Sequence, residues 1–156
     1  MAKTFEAIEQ LSHSQFEDLC RMYQGEWWSK DRQREDVRRM LMHTDEIVAF
    51  CDPDSRRLIA FSRVLTDYVY KAMVFDVIVA APYRKEGVGR ALLDAIVAHP
   101  RLGSVQHIEL YCRPELVPFY RKWGFTDELG EFRFMRRQRP ADRLGLHARA
   151  PGSLAS

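Results

Sequence analysis

The stretch DVIVAAPYRKEGVGRALL, residues 76–93, decides the fold of this 156-residue chain. Residues 72–81 are almost wholly apolar and predict a strand, while residues 90–98 have the spacing of a helix. The loop between them contains Gly87 and Gly89. Glycine lets a backbone approach a ligand closely, and the N–H groups and dipole at a helix N-terminus favour anions. The stretch therefore predicts a strand–loop–helix unit of the kind that holds a phosphate group.

A second unit, IELYCRPELVPFYRKWGF, occupies residues 108–125. Residues 105–112 alternate well enough between apolar and polar side chains to predict a strand. A helix is expected over residues 114–123, because Pro114 suits the first turn of a helix and Gly124 suits a C-cap. A strand is thus followed by a helix for a second time.

The remaining elements follow from apolar periodicity and turn residues. Strands are predicted at residues 4–8, 47–51, 58–65, 68–80 and 132–135, and helices at residues 12–22 and 31–43. An Asp-Pro-Asp-Ser turn that begins at Asp52 joins two of these strands into a hairpin. The order is strand, two helices, three strands, helix, strand, helix, strand. This order predicts an α/β domain with a mixed sheet and helices on both faces.

Composition and charge predict one domain with a basic tail. Apolar residues make up 46% of the chain and aromatic residues 12%, enough for an ordinary core, and we expect a single domain over residues 1–136. The net charge is +2, but five arginines and one acidic residue, Asp142, lie from residue 136 onward. We expect residues 137–156 to be a basic, mobile extension. A solvated terminus is favoured over a contact with nucleic acid or an acidic partner.

The cysteines and the apolar runs indicate the cellular compartment in which the protein is expected. Cys20, Cys51 and Cys112 are odd in number and lack Cys-x-x-Cys spacing, which argues against a disulfide framework and for a reducing cytoplasm. No apolar run approaches the roughly 18 residues that a membrane span needs. Residues 1–10 lack the layout of a signal peptide. We therefore expect a cytoplasmic protein that does not associate with membranes.

Residues 76–93 and 108–125 together resemble the acetyl-CoA-binding core of the GNAT superfamily of N-acetyltransferases. The first matches the Arg/Gln-x-x-Gly-x-Gly/Ala pyrophosphate loop of that family. The second matches its strand followed by a helix ending Phe-Tyr-x-x-x-Gly-Phe. The resemblance extends over residues 4–135. It implies a mixed, mostly antiparallel central sheet of about six to seven strands, flanked by about four helices on both faces.

The loop residues can be assigned to parts of coenzyme A. Backbone N–H groups can bind the pyrophosphate, and basic side chains can supply charge near the ribose phosphate. The N–H groups are those around Gly87, Val88 and Gly89, and the basic side chains are Arg84, Lys85 and Arg90. Glu86 adds a negative charge and is expected to point outward. The alternative interpretation of the loop alone is a tight turn with solvated basic residues.

The strand before the loop is expected to act through its backbone. The resemblance implies that it bulges near Ile78 and Val79 and splays from the strand at residues 105–112. The pantetheine arm of CoA would then pair with the exposed backbone. A backbone N–H near Ile78 or Val79 would polarise the thioester carbonyl.

Tyr120 is the candidate general acid. The resemblance places it where it protonates or hydrogen-bonds the leaving thiolate, and a phenol can do so. The alternative is a core position, because Leu116, Phe119, Tyr120 and Trp123 form a stripe with helical spacing. Many family members carry Asn seven residues before this tyrosine, whereas this chain has Arg113. Arg113 is a poor N-cap, and Pro118 inside the predicted helix removes an N–H and could kink the helix.

The general base and the acceptor site are less defined by sequence. Asp76 is the one charged residue of residues 72–81, and burial is expected to raise its pKa toward a useful range. It could equally be a structural carboxylate that caps a loop or pairs with Arg63, with Asp67, Glu109 or a water chain as other bases. Trp27 and Trp28 are expected to border the acceptor site, or to cover the sheet as a hydrophobic lid.

The leading hypothesis is an acetyl-CoA-dependent N-acetyltransferase that acts by direct attack of an amine in a ternary complex. The acceptor would be a small primary amine or a peptide amine. The alternative is a GNAT-like module that binds CoA without catalysis, and nucleic-acid binding through the arginine tail is a third, unsupported hypothesis. No metal is implied by the histidine spacing. The oligomeric state is not defined by the sequence, and a homodimer is compatible with it.

Overall fold

The computed structural model describes residues 4–140, which form a mixed sheet of five strands. The strands lie side by side in chain order, and the first four are antiparallel to their neighbours, whereas the fifth runs parallel to the fourth. The strands are β1 (Glu6–Ile8), β2 (Glu46–Cys51), β3 (Leu58–Thr66), β4 (Lys71–Val79) and β5 (His107–Glu109). The predicted mixed, mostly antiparallel sheet is thereby confirmed.

Within the described part of the chain, four α-helices accompany the sheet, as predicted. They are α1 (His13–Gln24), α2 (Arg34–Met42), α3 (Val88–Val97) and α4 (Val117–Arg121). Helix α1 begins with a capping box, in which the Ser12 hydroxyl and the Gln15 side chain each accept from the other residue's N–H. Within residues 4–140, no helix is both long and apolar enough to cross a membrane.

Two apolar clusters cover the two faces of the sheet, which confirms the predicted layering. On one face, Phe16, Leu19 and Tyr23 of α1 pack with Phe61 and Ile78 of the sheet. The other face packs against α3, and this cluster includes Leu92, Leu93 and Ile96 together with Val64, Val74 and Tyr120. Burial of both sheet faces supplies the main driving force for this arrangement.

The prediction of about six to seven strands is wrong, since the described residues contain five. Residues 132–135 do not form the predicted closing strand. Phe132 is 81% exposed and Met135 is 88% exposed, so the apolar alternation of this segment is not buried against a sheet. The Arg133 guanidinium donates to the carbonyls of Gly130 and Phe132, groups that a ladder would otherwise use.

The last helix is shorter than predicted. Residues 114–116 form a 3₁₀ turn, and α4 begins only at Val117. Arg113 precedes the turn without a side-chain capping hydrogen bond, as expected of a poor N-cap. Pro118 lies in the first turn of α4, where a missing N–H is harmless, so the kink that it could cause inside a longer helix does not arise.

Strands β4 and β5 separate soon after they begin, as the family resemblance implies. Their pairing runs from Lys71 opposite His107 to Met73 opposite Glu109 and then stops. The rest of β4 has no strand partner on that side among the described residues. The resulting gap between β4 and β5 exposes the backbone of β4 on the side that faces β5.

The bulge in β4 lies slightly earlier than predicted. Arg63 of β3 faces Phe75 and Phe61 faces Ile78, so Asp76 and Val77 together oppose a single residue of β3. Asp76 has a φ of 58°, in the left-handed region. The expectation of a bulge near Ile78 and Val79 is therefore corrected to Asp76 and Val77. The bulge is adjacent to the gap between β4 and β5.

Candidate active site

The loop between β4 and α3 has the backbone shape of an anion site. Lys85 has a φ of 64° and Gly87 a φ of 81°, so alternate residues adopt left-handed conformations. Such alternation turns successive N–H groups toward one side of the chain. Gly87 is also the N-cap of α3 and provides no side-chain cap, so the first N–H groups of α3 are available to a ligand.

Gly89 lies where the loop, β4 and α4 meet. A methyl group in place of its hydrogen would lie 3.8 Å from Phe119 Cζ and 3.8 Å from Val79 Cγ2. These are ordinary contact distances, so the site has room for one methyl group but not for a long side chain. The glycine therefore brings the phosphate loop close to both the end of β4 and the helix that bears Tyr120.

The predicted phosphate-binding side chains separate into two groups. Arg84 donates from Nε to the Val79 carbonyl at 2.9 Å and forms an ion pair with Glu26, so it is engaged with the protein itself. Lys85 and Arg90 are exposed beside the loop and can reach a phosphate. Glu86 is exposed, in agreement with the expectation that it points outward, and Val88 is buried and offers only its backbone.

The end of β4 presents one of the two predicted backbone groups to the gap. Ala80 donates its N–H to the Ile59 carbonyl of β3 at 2.8 Å. Hydrogen-bonded pairs alternate along an antiparallel ladder, so Ile78 also faces β3 and Val79 faces away from it. Of the two candidates for polarising a carbonyl, the geometry therefore favours the N–H of Val79 over that of Ile78.

Tyr120 is buried with an uncommitted hydroxyl. The residue is 8% exposed, and its ring packs against those of Phe119 and Phe125 at centroid distances of 5.1 and 6.1 Å. Within residues 4–140, its hydroxyl has no hydrogen-bond partner and is not fully enclosed. Burial, with a smaller effect from Cys112, raises the pKa of Tyr120 to about 12. Tyr120 is both a core residue and a phenol that keeps its proton at neutral pH.

Asp76 accepts hydrogen bonds from three elements of the fold. Arg32 binds it through two bonds, Nη1 to Oδ2 at 2.7 Å and Nη2 to Oδ1 at 3.1 Å. Arg63 Nε and the Tyr23 hydroxyl each donate to Oδ2 at 2.9 Å. The Asp76 side chain is only 6% exposed. The alternative role of Asp76 as a partner of Arg63 is thus confirmed.

The expected direction of the Asp76 pKa is wrong. Burial by itself would raise this pKa, but the hydrogen bonds and charges of Arg32 and then Arg63 outweigh burial and lower it. A carboxylate with a lowered pKa and both oxygens occupied is a poor proton acceptor. Asp67 is no better placed, since the backbone N–H groups of Lys71, Val69 and Tyr70 hold its pKa down. Glu109 forms an ion pair with Lys71.

Trp27 and Trp28 lie in the connection between α1 and α2 and remain accessible. Trp27 is 51% exposed, and the Arg113 guanidinium lies 5.2 Å from the centre of its ring. Trp28 packs edge-on against Tyr23 with ring centres 6.0 Å apart. Trp27 is thereby placed beside the segment that follows β5, and Trp28 beside α1. Both positions border the face of the sheet on which Asp76 lies.

Several residues of this face were not predicted from the sequence. Tyr111 packs edge-on against Phe75 with ring centres 6.2 Å apart, and in a tilted arrangement against Phe134 with ring centres 5.2 Å apart. Exposure alternates from residue 107 to residue 113, which puts Tyr111 opposite the buried-side residues Leu110 and Cys112. The strand alternation in this segment was a usable signal for Tyr111. No local signal marked Arg32, because its partner Asp76 is distant in the chain.

The comparisons with known proteins agree with this geometry. The model of the Acetyltransferase (GNAT) family matches residues 6–125. Serotonin N-acetyltransferase 2, chloroplastic, of Oryza sativa subsp. japonica is 41% identical over 98 residues, which cover 61% of this chain and 48% of the relative. An uncharacterised N-acetyltransferase, ycf52, of Porphyra purpurea is 28% identical over 138 residues, 81% of this chain and 77% of the relative.

A solved structure supports the same assignment. A Xanthomonas campestris pv. campestris protein described as belonging to the GNAT family superposes with a TM-score of 0.71 and 28% identity, over 86% of this chain and 94% of that one. The chain spans about half the length of the first curated relatives it matches. The family match extends over most of the chain and includes the loop, β4, β5 and α4. The chain therefore belongs to the Acetyltransferase (GNAT) family.

Proposed function

We propose that this chain is an N-acetyltransferase that moves the acetyl group of acetyl-CoA to a primary amine by direct attack in a ternary complex. One observation carries the proposal. The open edge of β4 ends in an anion-binding loop, and Gly89 of that loop lies close to the helix that presents the uncommitted hydroxyl of the largely buried Tyr120. These are the parts needed to hold one end of CoA and to act at the other.

The residues present fit acetyl-CoA as a substrate. The N–H groups from Gly87 to Gly89 would hold the pyrophosphate, with Lys85 and Arg90 supplying positive charge. Acetyl-CoA supplies a thioester whose C–S bond breaks as the amine nitrogen forms a bond to the carbonyl carbon. The Val79 N–H stabilises negative charge on the carbonyl oxygen, and Tyr120 gives its proton to the departing sulfur. The attacking amine is neutral and loses one proton to solvent, from which the Tyr120 phenolate regains the proton that it gave to sulfur.

The acceptor proposed is a small primary amine that carries an aromatic group. Trp27 and Tyr111 give the acceptor face exposed aromatic surface, and the half-buried Phe75 packs beside Tyr111, an arrangement that suits stacking with a flat ring. The rice relative is named for serotonin, which supports the same class. A peptide amine is the competing acceptor and is separated by the experiment below.

The experiment is thiol release from acetyl-CoA with a panel of aromatic alkylamines, aliphatic amines and peptides. We expect release with the aromatic amines and a product heavier by one acetyl group. Release only with peptides would overturn the acceptor class. Clear CoA binding by calorimetry without release from any amine would favour the non-catalytic module instead.

A further inference from the structure

The bulge of β4 holds a non-glycine residue in an unfavourable backbone conformation. Asp76 has a φ of 58°, a region that residues with a side chain seldom occupy because of steric crowding. Such a conformation persists only when surrounding contacts impose it. The contacts at Asp76 are therefore expected to determine the shape of β4 just before Val79.

Those contacts come mainly from one residue of the α1–α2 connection. Arg32 binds both oxygens of Asp76, and this two-pronged geometry fixes the orientation of both groups. The Arg32 guanidinium also lies 4.6 Å from the centre of the Tyr23 ring and 5.4 Å from that of Trp28. The segment that bears Trp28 is thus joined to the bulge directly by Arg32 and also through Tyr23, against which Trp28 packs and whose hydroxyl binds Asp76.

We propose that the Arg32–Asp76 pair is a positioning device that locks the α1–α2 connection onto the β4 bulge. This inference rests on the proposed acetyl transfer. The connection carries Trp27 and Trp28 on the acceptor side, and the bulge directs the backbone that leads to the Val79 N–H. The pair keeps the acceptor wall and the carbonyl-polarising backbone in one fixed relation, so Asp76 acts through the backbone and not by taking a proton.

The hydrogen bonds of Asp76 support a positioning role over a general-base role. Oδ2 accepts from Tyr23, Arg32 and Arg63, and Oδ1 accepts from Arg32. Oδ2, with three donors, has no lone pair left for a proton, and a proton on Oδ1 would oppose the positive charge of Arg32 bound to it. The carboxylate is also enclosed between α1 and β3, with the side chain of Arg63 itself mostly buried. Both oxygens are therefore committed to holding other parts of the structure.

The test compares Arg32→Ala, Arg32→Lys and Asp76→Asn with Arg34→Ala as a matched control. Arg34 lies in the first turn of α2 and joins α1 through Glu17 without touching β4. Amide hydrogen exchange is measured for residues 24–33 and 74–80, CoA binding by calorimetry, and kcat and KM with an aromatic amine. Arg32→Lys keeps the positive charge but cannot form the two-pronged hydrogen bond to Asp76. It replaces Arg32→Ala in the test if that variant does not fold.

We expect faster amide exchange in residues 24–33 and in residues 74–80 for Arg32→Ala and Asp76→Asn. For Arg34→Ala we expect no faster exchange in β4, including its bulge. Because misplacing a reacting group by about 1 Å costs on the order of 100-fold in rate, kcat should fall by about that factor. CoA affinity should change by less than about 2-fold, since the phosphate loop is not part of the pair. The double variant should lose little more than either single variant.

Three results would overturn the proposal. Faster exchange confined to residues 24–33, with kcat unchanged, would show that the pair does not control the bulge. Additive losses in the double variant would show that the two residues act separately. Recovery of Asp76→Asn activity with a weakly basic aromatic amine, already unprotonated at neutral pH, would make Asp76 a general base. A wild-type protein that transfers no acetyl group would overturn the proposed function, while the exchange result would still decide whether the pair holds the bulge.

Discussion

Arg84 of the phosphate loop donates from Nε to the carbonyl oxygen of Val79 at 2.9 Å, so the loop arginine holds the end of the strand that faces the gap. The same side chain forms an ion pair with Glu26, which lies at the start of the loop after α1. The Arg of the family loop motif is therefore a structural brace in this chain, and in the proposed function phosphate binding would fall to the backbone and to Lys85 and Arg90.

We predict that Arg84→Ala lowers kcat more than it weakens CoA binding. Loss of the bond to the Val79 carbonyl should let the end of β4 shift, at a cost of about 1 kcal/mol for the hydrogen bond. Lys85→Ala should show the opposite pattern, with weaker CoA binding and little change in kcat. Calorimetry with CoA and steady-state kinetics measure the two quantities. Equal loss of CoA affinity in both variants would contradict the brace.

Tyr120→Phe is predicted to lower kcat by about 100-fold or more, the usual contribution of a general acid, with CoA affinity nearly unchanged. The raised pKa of Tyr120 also predicts how kcat depends on pH. Tyr120 is protonated below its pKa of about 12, so its ionisation should not reduce kcat at any pH up to about 11. Tyr70→Phe, at an exposed position of the β3–β4 turn, is the matched control. An unchanged kcat in Tyr120→Phe would show that Tyr120 contributes only to the packing of the core.

Local patterns were sufficient for most elements but not for contacts between distant segments. Hydrophobic periodicity located β2, β3 and β4 because their side chains are buried, and Gly87 marked the loop because glycine readily adopts the positive φ that this turn requires. The prediction of a closing strand at residues 132–135 was wrong because an alternation of apolar and polar residues cannot show whether a neighbouring strand is available for pairing. The Arg32–Asp76 pair escaped prediction because the fold, and not the local sequence, brings those residues together.

The two glycines of the loop are predicted to respond to alanine with opposite signs. Gly87 has a φ of 81°, so Gly87→Ala should destabilise the protein by about 1 kcal/mol and weaken CoA binding. Gly89 lies inside the first turn of α3 with room for a methyl group, so Gly89→Ala should stabilise by about 0.5 kcal/mol through helix propensity. Urea unfolding measures both changes. Gly89→Leu, whose side chain exceeds the space beside Phe119 and Val79, should weaken CoA binding, and unaltered binding would contradict the assignment of the loop.

Asp76→Asn is predicted to destabilise the protein most at neutral pH. The folded-state pKa of Asp76 is lowered, so its stabilising effect is complete above the unfolded pKa of about 3.9 and is lost as pH falls through the folded value. Breaking a buried ion pair by removing one charge costs about 3 kcal/mol. Urea unfolding of both proteins at pH 7 and near pH 3 should show that the difference in free energy of unfolding shrinks in acid. The same difference at both pH values would mean that Asp76 is not stabilised as a carboxylate.

Trp27 provides the sharpest test of the acceptor face, because it is exposed and lies outside the Arg32–Asp76 pair. Trp27→Ala should raise KM for an aromatic amine by about 10-fold, the loss of one good aromatic contact of about 1.4 kcal/mol, and should leave CoA affinity unchanged. Trp27→Phe keeps a ring over which Arg113 can lie and should recover most of the lost affinity. An aliphatic amine of similar size should show little dependence on Trp27, since it cannot stack. If both amines lost affinity equally, Trp27 would act by covering the sheet, and the aromatic acceptor class would lose its structural support.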